Sequence, residues 1–411
     1  MRLVLNIFSV LLGVSSLSLH AEEGDADQSR FAVAPFVMSS SSMGLAGGLA
    51  VSAQGYGQSQ GQILGVGLLS DNNSHLTYLG VYNYRIPNTS RWYVESELLH
   101  GLYREDSVYV EGADGFDSPS GSHNSDKNNF VEGKHTQHDY RIGFRYVFPW
   151  GRGADDYQPA PVEMQDGLPG YGSGDVAPPP LVSMVISPFY KSREVENAAE
   201  PYRDTRSQGL KLGLDYDSRD FQPSPSRGQR FTLDVTRDFG GSHRNGFTKV
   251  EGQYSHYLNL GPGFGSKQNV LAMTGYLSDI PTWDKDNPEA NAPWYEQSSV
   301  GTWRRLRGYS GTRFHDRSAV FYGAELRMIP NWQPQGGIPL IKLYNIPWWQ
   351  FAVFGEVGRV HDELDLAELH SDMNWSAGFG MRVFIEQVVA RIDMAYSDEG
   401  SELWVVVTQA F

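Results

Sequence analysis

Bulky apolar side chains recur at every second position in short segments along most of the chain, with glycine or ionisable residues between them. Arg230 to Asp238 sets Phe231, Leu233 and Val235 against Thr232, Asp234 and Thr236. Ala377 to Ile385 sets Phe379, Met381, Val383 and Ile385 against Gly378, Gly380 and Arg382, and Ala390 to Tyr396 sets Ile392, Met394 and Tyr396 against Arg391 and Asp393. A period of two puts successive side chains on opposite faces of a strand. Each segment therefore has one greasy and one charged face, the pattern of a barrel with a lipid exterior and a wet lumen.

The N-terminus reads as an export signal over residues 1–21. Arg2 supplies the positive start, Leu3 to Leu19 is largely apolar, and Leu19-His20-Ala21 precedes the acidic run Glu22-Glu23-Gly24-Asp25. The remaining 411 − 21 = 390 residues hold no uninterrupted apolar run of the roughly 18 residues that a membrane-spanning helix needs. Glycine is abundant, 45 of 411 residues, and aromatic residues make up 13%. Glycine lets strands bend and pack closely, and aromatics supply interfacial girdles. A net charge of −15 argues against a nucleic-acid partner, which calls for clustered Lys and Arg. With no cysteine, disulfides, thiol catalysis and cysteine-held zinc are excluded. No G-x-S-x-G or H-E-x-x-H occurs, and His135 and His138 sit in or beside a polar loop, so the expectation is a protein that is not an enzyme and uses neither cofactor nor metal.

Taken segment by segment, the alternation predicts strands at 31–38, 43–54, 62–70, 75–85, 91–101, 137–148, 182–193, 208–217, 229–238, 247–258, 268–279, 317–329, 349–359, 373–385, 387–397 and 402–411. Sixteen is an even number, as a closed bacterial barrel requires. The expected architecture is all-β: a 16-stranded antiparallel transmembrane β-barrel over 31–411, preceded by a short periplasmic stretch, 22–30. Counting from a periplasmic N-terminus, the long gaps 102–136 and 280–316 face outward. Residues 149–180, with seven prolines and six glycines, form a periplasmic loop unable to build a core.

Four stretches resemble the BamA/TamA-like barrel of the outer-membrane assembly-factor superfamily (the bacterial surface antigen barrel). Leu214-Asp215-Tyr216-Asp217-Ser218-Arg219-Asp220, with Pro223, Pro225 and Arg227-Gly228, is similar to the family's periplasmic turn. Trp303-Arg304-Arg305-Leu306-Arg307-Gly308-Tyr309 resembles its sixth-loop motif. Phe321-Tyr322-Gly323-Ala324-Glu325-Leu326-Arg327 and Phe351-Ala352-Val353-Phe354-Gly355-Glu356-Val357-Gly358 resemble two strands with lumen-facing acids, although the family usually has Asp where Glu356 stands. The resemblance is best over 207–411. It implies that the sixth extracellular loop folds into the lumen and that Arg307, Gly308 and Tyr309 clamp it to the wall through Glu325 and Glu356. It also implies a turn held by Asp217, Arg219, Asp220 and Gly228.

Charge chemistry supports the clamp, because a guanidinium carried into the lumen needs carboxylates to offset its desolvation. A second expectation is a weak lateral seam between the first and last strands, marked by Pro35, which has no N–H to donate, and by Phe411. Leu403, Val405, Val407 and Phe411 share one face of the last strand, interrupted by Gln409. The family's periplasmic POTRA domains have no room before residue 31, so a barrel-only member is expected. The function implied is protein insertion, translocation or outer-membrane biogenesis, with a loop-plugged transport pore as the alternative. Expected partners are outer-membrane lipid and lipopolysaccharide, unfolded outer-membrane protein clients, or a periplasmic accessory protein.

Overall fold

A computed structural model describes residues 30–40, 43–155, 164–165, 168–169, 177–241, 244–287, 291–333, 346–385, 388–407 and 409–411. The expected export signal, 1–21, the stretch 22–29 and much of 149–180 lie outside the described residues.

Sixteen strands form one antiparallel sheet in chain order. They are β1 (Arg30–Ser40), β2 (Gly44–Gln54), β3 (Gln62–Ser70), β4 (His75–Arg85), β5 (Trp92–Val108), β6 (Val131–Gly151), β7 (Leu181–Val195) and β8 (Asp204–Asp217). The series continues with β9 (Gly228–Asp238), β10 (Thr248–Gly263), β11 (Ser266–Asp279), β12 (Ser318–Pro330), β13 (Trp349–His361), β14 (Asn374–Ile385), β15 (Val388–Tyr396) and β16 (Ser401–Val407). Every segment expected from alternation is a strand. Several are longer than expected, because β5 and β6 keep pairing beyond the apolar band, as far as Val108↔Val131. That extension takes in His135, which is buried and bonded to Asp106 at 2.8 Å rather than lying in a loop.

The two faces differ as the alternation requires. Leu210, Leu212, Leu214, Phe231, Leu233, Phe351, Val353 and Val357 point outward and are exposed. The opposite parity is buried or polar and faces an interior. On the outer face, Trp92 lies 5.1 Å from Tyr146, and Phe148 and Trp150 continue the row towards the end of β6. Tyr140 lies 6.1 Å from Tyr190 nearer the other end. These aromatics bracket an apolar band about as long as the 9–11 residues with which a tilted strand crosses a bilayer.

The connections 109–130 and 280–317 share one end of the sheet and pack on each other there. His315 N–H donates to the Gly121 carbonyl at 2.8 Å. Val108, Val110, Val131, Val195, Ala198 and Trp294 form a small apolar cap at this end. At the opposite end Phe221, from the β8–β9 turn, enters the lumen and joins Ile329, Trp348, Phe384 and Val389. Leu168, from the Pro/Gly-rich loop, packs against the same cluster.

The last strand departs from expectation. β16 turns Leu403 and Val405 outward, but Phe411 does not continue that face. Its ring packs with Tyr257, Val270 and Ala272 inside the sheet, 5.3 Å from the Arg327 guanidinium. The physical cause is Gln409, whose amide finds polar partners only inside. It accepts from Arg382 Nε at 3.1 Å and donates to Ser224 Oγ at 3.3 Å. Among the described residues no ladder joins β16 to β1.

Candidate functional site: an arginine hub inside the sheet

The loop 280–317 leaves β11, forms two short strands (Ser298–Val300 and Phe314–Asp316) paired with each other, and carries Leu306 to Tyr309 between them into the interior. Arg307 is fully buried. Its Nη1 donates to Glu325 Oε1 and to Asp393 Oδ2, both at 2.7 Å. Its Nε and its backbone N–H each donate to one oxygen of Glu356 at 2.8 Å. The guanidinium lies 3.4 Å from the centre of the Phe354 ring. The β12, β13 and β15 walls thus each supply one carboxylate to one cation. Alternation puts those acids on the lumen face, and register brings them level: Glu356 pairs opposite Gly323, two places from Glu325.

The network is larger than the three residues that the sequence motifs single out. Arg327 Nε donates to Glu325 Oε2 at 2.7 Å, Arg382 Nη2 to Glu325 Oε1 at 2.9 Å, and Arg391 Nη1 to Asp393 Oδ2 at 2.6 Å. Four buried guanidiniums therefore share three buried carboxylates, a surplus of 4 − 3 = 1 positive charge. Neutral donors complete it. Ser376 Oγ donates to Glu356 and Trp404 Nε1 to the Arg307 carbonyl, each at 2.7 Å. Arg382 is visible in the sequence as a charged residue on the glycine-bearing parity of β14, and Arg391 and Asp393 as the charged parity of β15. Strand order alone did not show that their heights match that of the loop.

Gly308 sits where no side chain fits, since an added Cβ would lie 2.6 Å from the Tyr396 carbonyl oxygen. The Gly308 carbonyl accepts from Ser397 Oγ at 2.8 Å, and Tyr309 OH donates to Asp398 at 2.5 Å. A second anchor stands further along the loop. Arg313 donates to Glu399 at 2.7 Å and, through two nitrogens, to Ser125 Oγ and the Ser125 carbonyl, also at 2.7 Å. It ties together the loop, the β15–β16 turn and the 109–130 connection. Beside it, burial lowers the His315 imidazole from its ordinary 6.5 to about 4, and burial raises the Asp316 carboxyl from 3.8 to about 6.

The β8–β9 turn is a separate, self-bonded unit. Arg219 forks onto Asp217 at 2.8–2.9 Å. Asp220 Oδ1 accepts from the backbone N–H groups of Phe221 and Ser226 at 2.9 Å, and its Oδ2 from Ser226 Oγ at 2.5 Å. Gly228 has φ +93°, a left-handed value suited to glycine, and a Cβ there would meet the Ser218 carbonyl at 2.1 Å. Pro35 lies inside β1 opposite Leu49, in the strand at the free edge of the sheet, the kind of strand in which proline is found.

A model of the Omp85 superfamily domain matches residues 127–401, more than half of the chain. No curated protein matches. Among solved structures, BamA from Haemophilus ducreyi lacking POTRA domains 1–3 superposes with a TM-score of 0.51 at 12% identity, over 97% of this chain and 75% of that one. CdiB from Escherichia coli gives 0.58 at 12% identity, over 97% of this chain and 67% of that one. CdiB from Acinetobacter baumannii gives 0.50 at 10% identity, over 88% of this chain and 55% of that one. At such identities these likenesses speak for the fold alone.

Proposed function

Because the chain belongs to the Omp85 superfamily of outer-membrane barrels, we propose that it is a protein insertion or translocation factor in which a clamped lumenal loop holds the barrel shut. The observation that carries this reading is the Arg307 hub, three carboxylates from three strands closing on one loop residue. A wide, unselective pore does not need a loop fixed in its lumen by buried ion pairs. A factor that admits a polypeptide at a strand edge needs the rest of its wall held rigid while one edge yields. The edge is β1, with its Pro35 and without a ladder to β16 among the described residues. In this reading the connections 109–130 and 280–317 face the outside, and the β8–β9 turn with the Pro/Gly-rich loop faces the periplasm. Clients are unfolded outer-membrane or exported proteins, and lipopolysaccharide and lipid are the surroundings. The barrel is not an enzyme.

The test is to deplete the protein and quantify the outer-membrane proteome, restoring it with wild type or with Arg307→Ala. A defined set of barrel or exported proteins falls on depletion and recovers with wild type only. An unchanged proteome contradicts the proposal.

The internal cavity of about 550 Å³ favours a second reading, a loop-plugged transport pore. Planar-bilayer conductance separates the two, since a pore opens to large, steady currents when 301–315 is deleted and shows solute-dependent currents before.

A further inference from the structure

The cavity of about 550 Å³ lies beside the hub, bounded by the tip of the loop, the β6 and β8–β12 walls and the C-terminal residues. Six cations line it: Arg141, Lys211, Arg219, Arg230, Arg304 and Arg305. Four of these are compensated. Arg141 pairs with Glu97 at 2.8 Å, Lys211 with Asp234 at 3.1 Å, Arg219 with Asp217 at 2.8 Å and Arg230 with Asp215 at 2.9 Å. Arg304 and Arg305 have no ion-pair partner among the described residues. Arg305 donates to the Gln253 amide oxygen at 3.3 Å, and its guanidinium lies 3.4 Å from the centre of the Tyr276 ring. The Arg304 guanidinium has only the Trp303 ring, at 4.3 Å, and is exposed to the cavity.

Two neighbouring guanidiniums, neither in direct contact with a carboxylate, repel each other. The two side-chain carboxylates that line the chamber, Asp234 and Glu251, are engaged by Lys211 at 3.1 Å and by Lys249 at 3.4 Å, so the two arginines leave a surplus of positive charge that a bound anion would balance. Guanidinium forks match the oxygens of phosphate and carboxylate alike. The charge decides between them: two uncompensated positive charges match the approximately −1.5 to −2 of a phosphate monoester near neutral pH better than a single carboxylate.

We propose that this lumenal chamber is a binding site for a phosphate group, carried by inorganic phosphate or by a phosphorylated headgroup, with Arg304 and Arg305 as its primary ligands. Arg230 and Lys211 line the same chamber and offer further donors, while their charges are balanced by Asp215 and Asp234. The site stands apart from the Arg307 hub, whose guanidiniums are already engaged by acids, and it does not depend on the protein's cellular role.

The test is calorimetric titration of the full-length protein in detergent with inorganic phosphate, glycerol 1-phosphate and acetate. Saturable phosphate binding with one site per chain is expected, at least tenfold weaker in Arg304→Gln/Arg305→Gln and unchanged in Arg203→Gln, a change at an exposed residue outside the chamber. Tighter binding of glycerol 1-phosphate than of inorganic phosphate assigns the site to a headgroup, and the reverse order assigns it to the free ion. Folding of each variant is read from heat-dependent mobility in detergent gels. If the double variant does not fold, Arg304→Gln alone serves, because its guanidinium touches only the Trp303 ring. Absence of saturable phosphate binding in wild type, equal binding of acetate, or full retention of phosphate binding in the variants overturns the proposal.

Discussion

At the scale of single residues, the interior is governed by the cost of unpaired buried charge. Arg307→Ala would leave Glu356 without its only guanidinium and take one of three arginines from Glu325 and from Asp393, and breaking a buried ion pair costs about 3–5 kcal/mol. The variant is expected to unfold at distinctly lower urea concentration, or to lose the folded mobility in unheated gels. Glu325 should prove more demanding than Glu356, because it pairs with Arg307, Arg327 and Arg382, as Asp393 pairs with Arg307, Arg382 and Arg391, while Glu356 pairs with one arginine. Glu325→Gln is therefore expected to destabilise more than Glu356→Gln in the same urea titration, and an equal or reversed order would mean that the hub does not share charge as its distances imply. The acids Glu325 and Glu356 and the cation Arg307 were legible in the sequence through motif and parity. Asp393, Arg382 and Arg391 were legible only as lumen-facing charges. Their convergence depends on the stagger between β12, β13, β14 and β15, which no single strand encodes.

At the scale of elements, the loop 280–317 is the part with the most specific electrostatics. His315 is held below and Asp316 above their ordinary values by burial, so their contributions to the folded loop run in opposite directions with pH. The folded loop disfavours a proton on His315, and that contribution is intact above pH 6.5 and lost as pH falls towards about 4. The folded loop favours a proton on Asp316, and that contribution is intact below pH 3.8 and lost as pH rises through about 6. Asp316→Asn leaves only the histidine, so acidification across this window should loosen the loop by roughly tenfold or more in limited proteolysis, one pKa unit being a factor of ten. His315→Gln should show the opposite trend, and wild type should vary less than either. The strands themselves were almost fully legible, because alternation reports both the period and the face. Their ends were less so: β5 and β6 continue past the apolar band on polar residues, and β16 ends early because Gln409 is drawn to Arg382 and Ser224.

At the scale of the whole molecule, one wall is fixed and one edge is free. Val33 in β1 and Leu403 and Val405 in β16 all face outward, and the chain contains no cysteine, so any disulfide between introduced cysteines reports the seam alone. Cross-linking Val33→Cys with Leu403→Cys or Val405→Cys is expected to abolish client insertion in cells and to be reversed by reductant; full activity of an oxidised, quantitatively linked protein would show that the seam stays closed during function. That proposal depends on the loop being locked inside, and amide hydrogen exchange of the 303–309 segment in micelles tests this most directly. The Arg307 N–H is bonded to a fully buried carboxylate and should exchange as slowly as the strands around it, speeding up by orders of magnitude in Glu356→Gln. Exchange of that segment in wild type at the rate of an exposed stretch such as 114–117 would contradict the account.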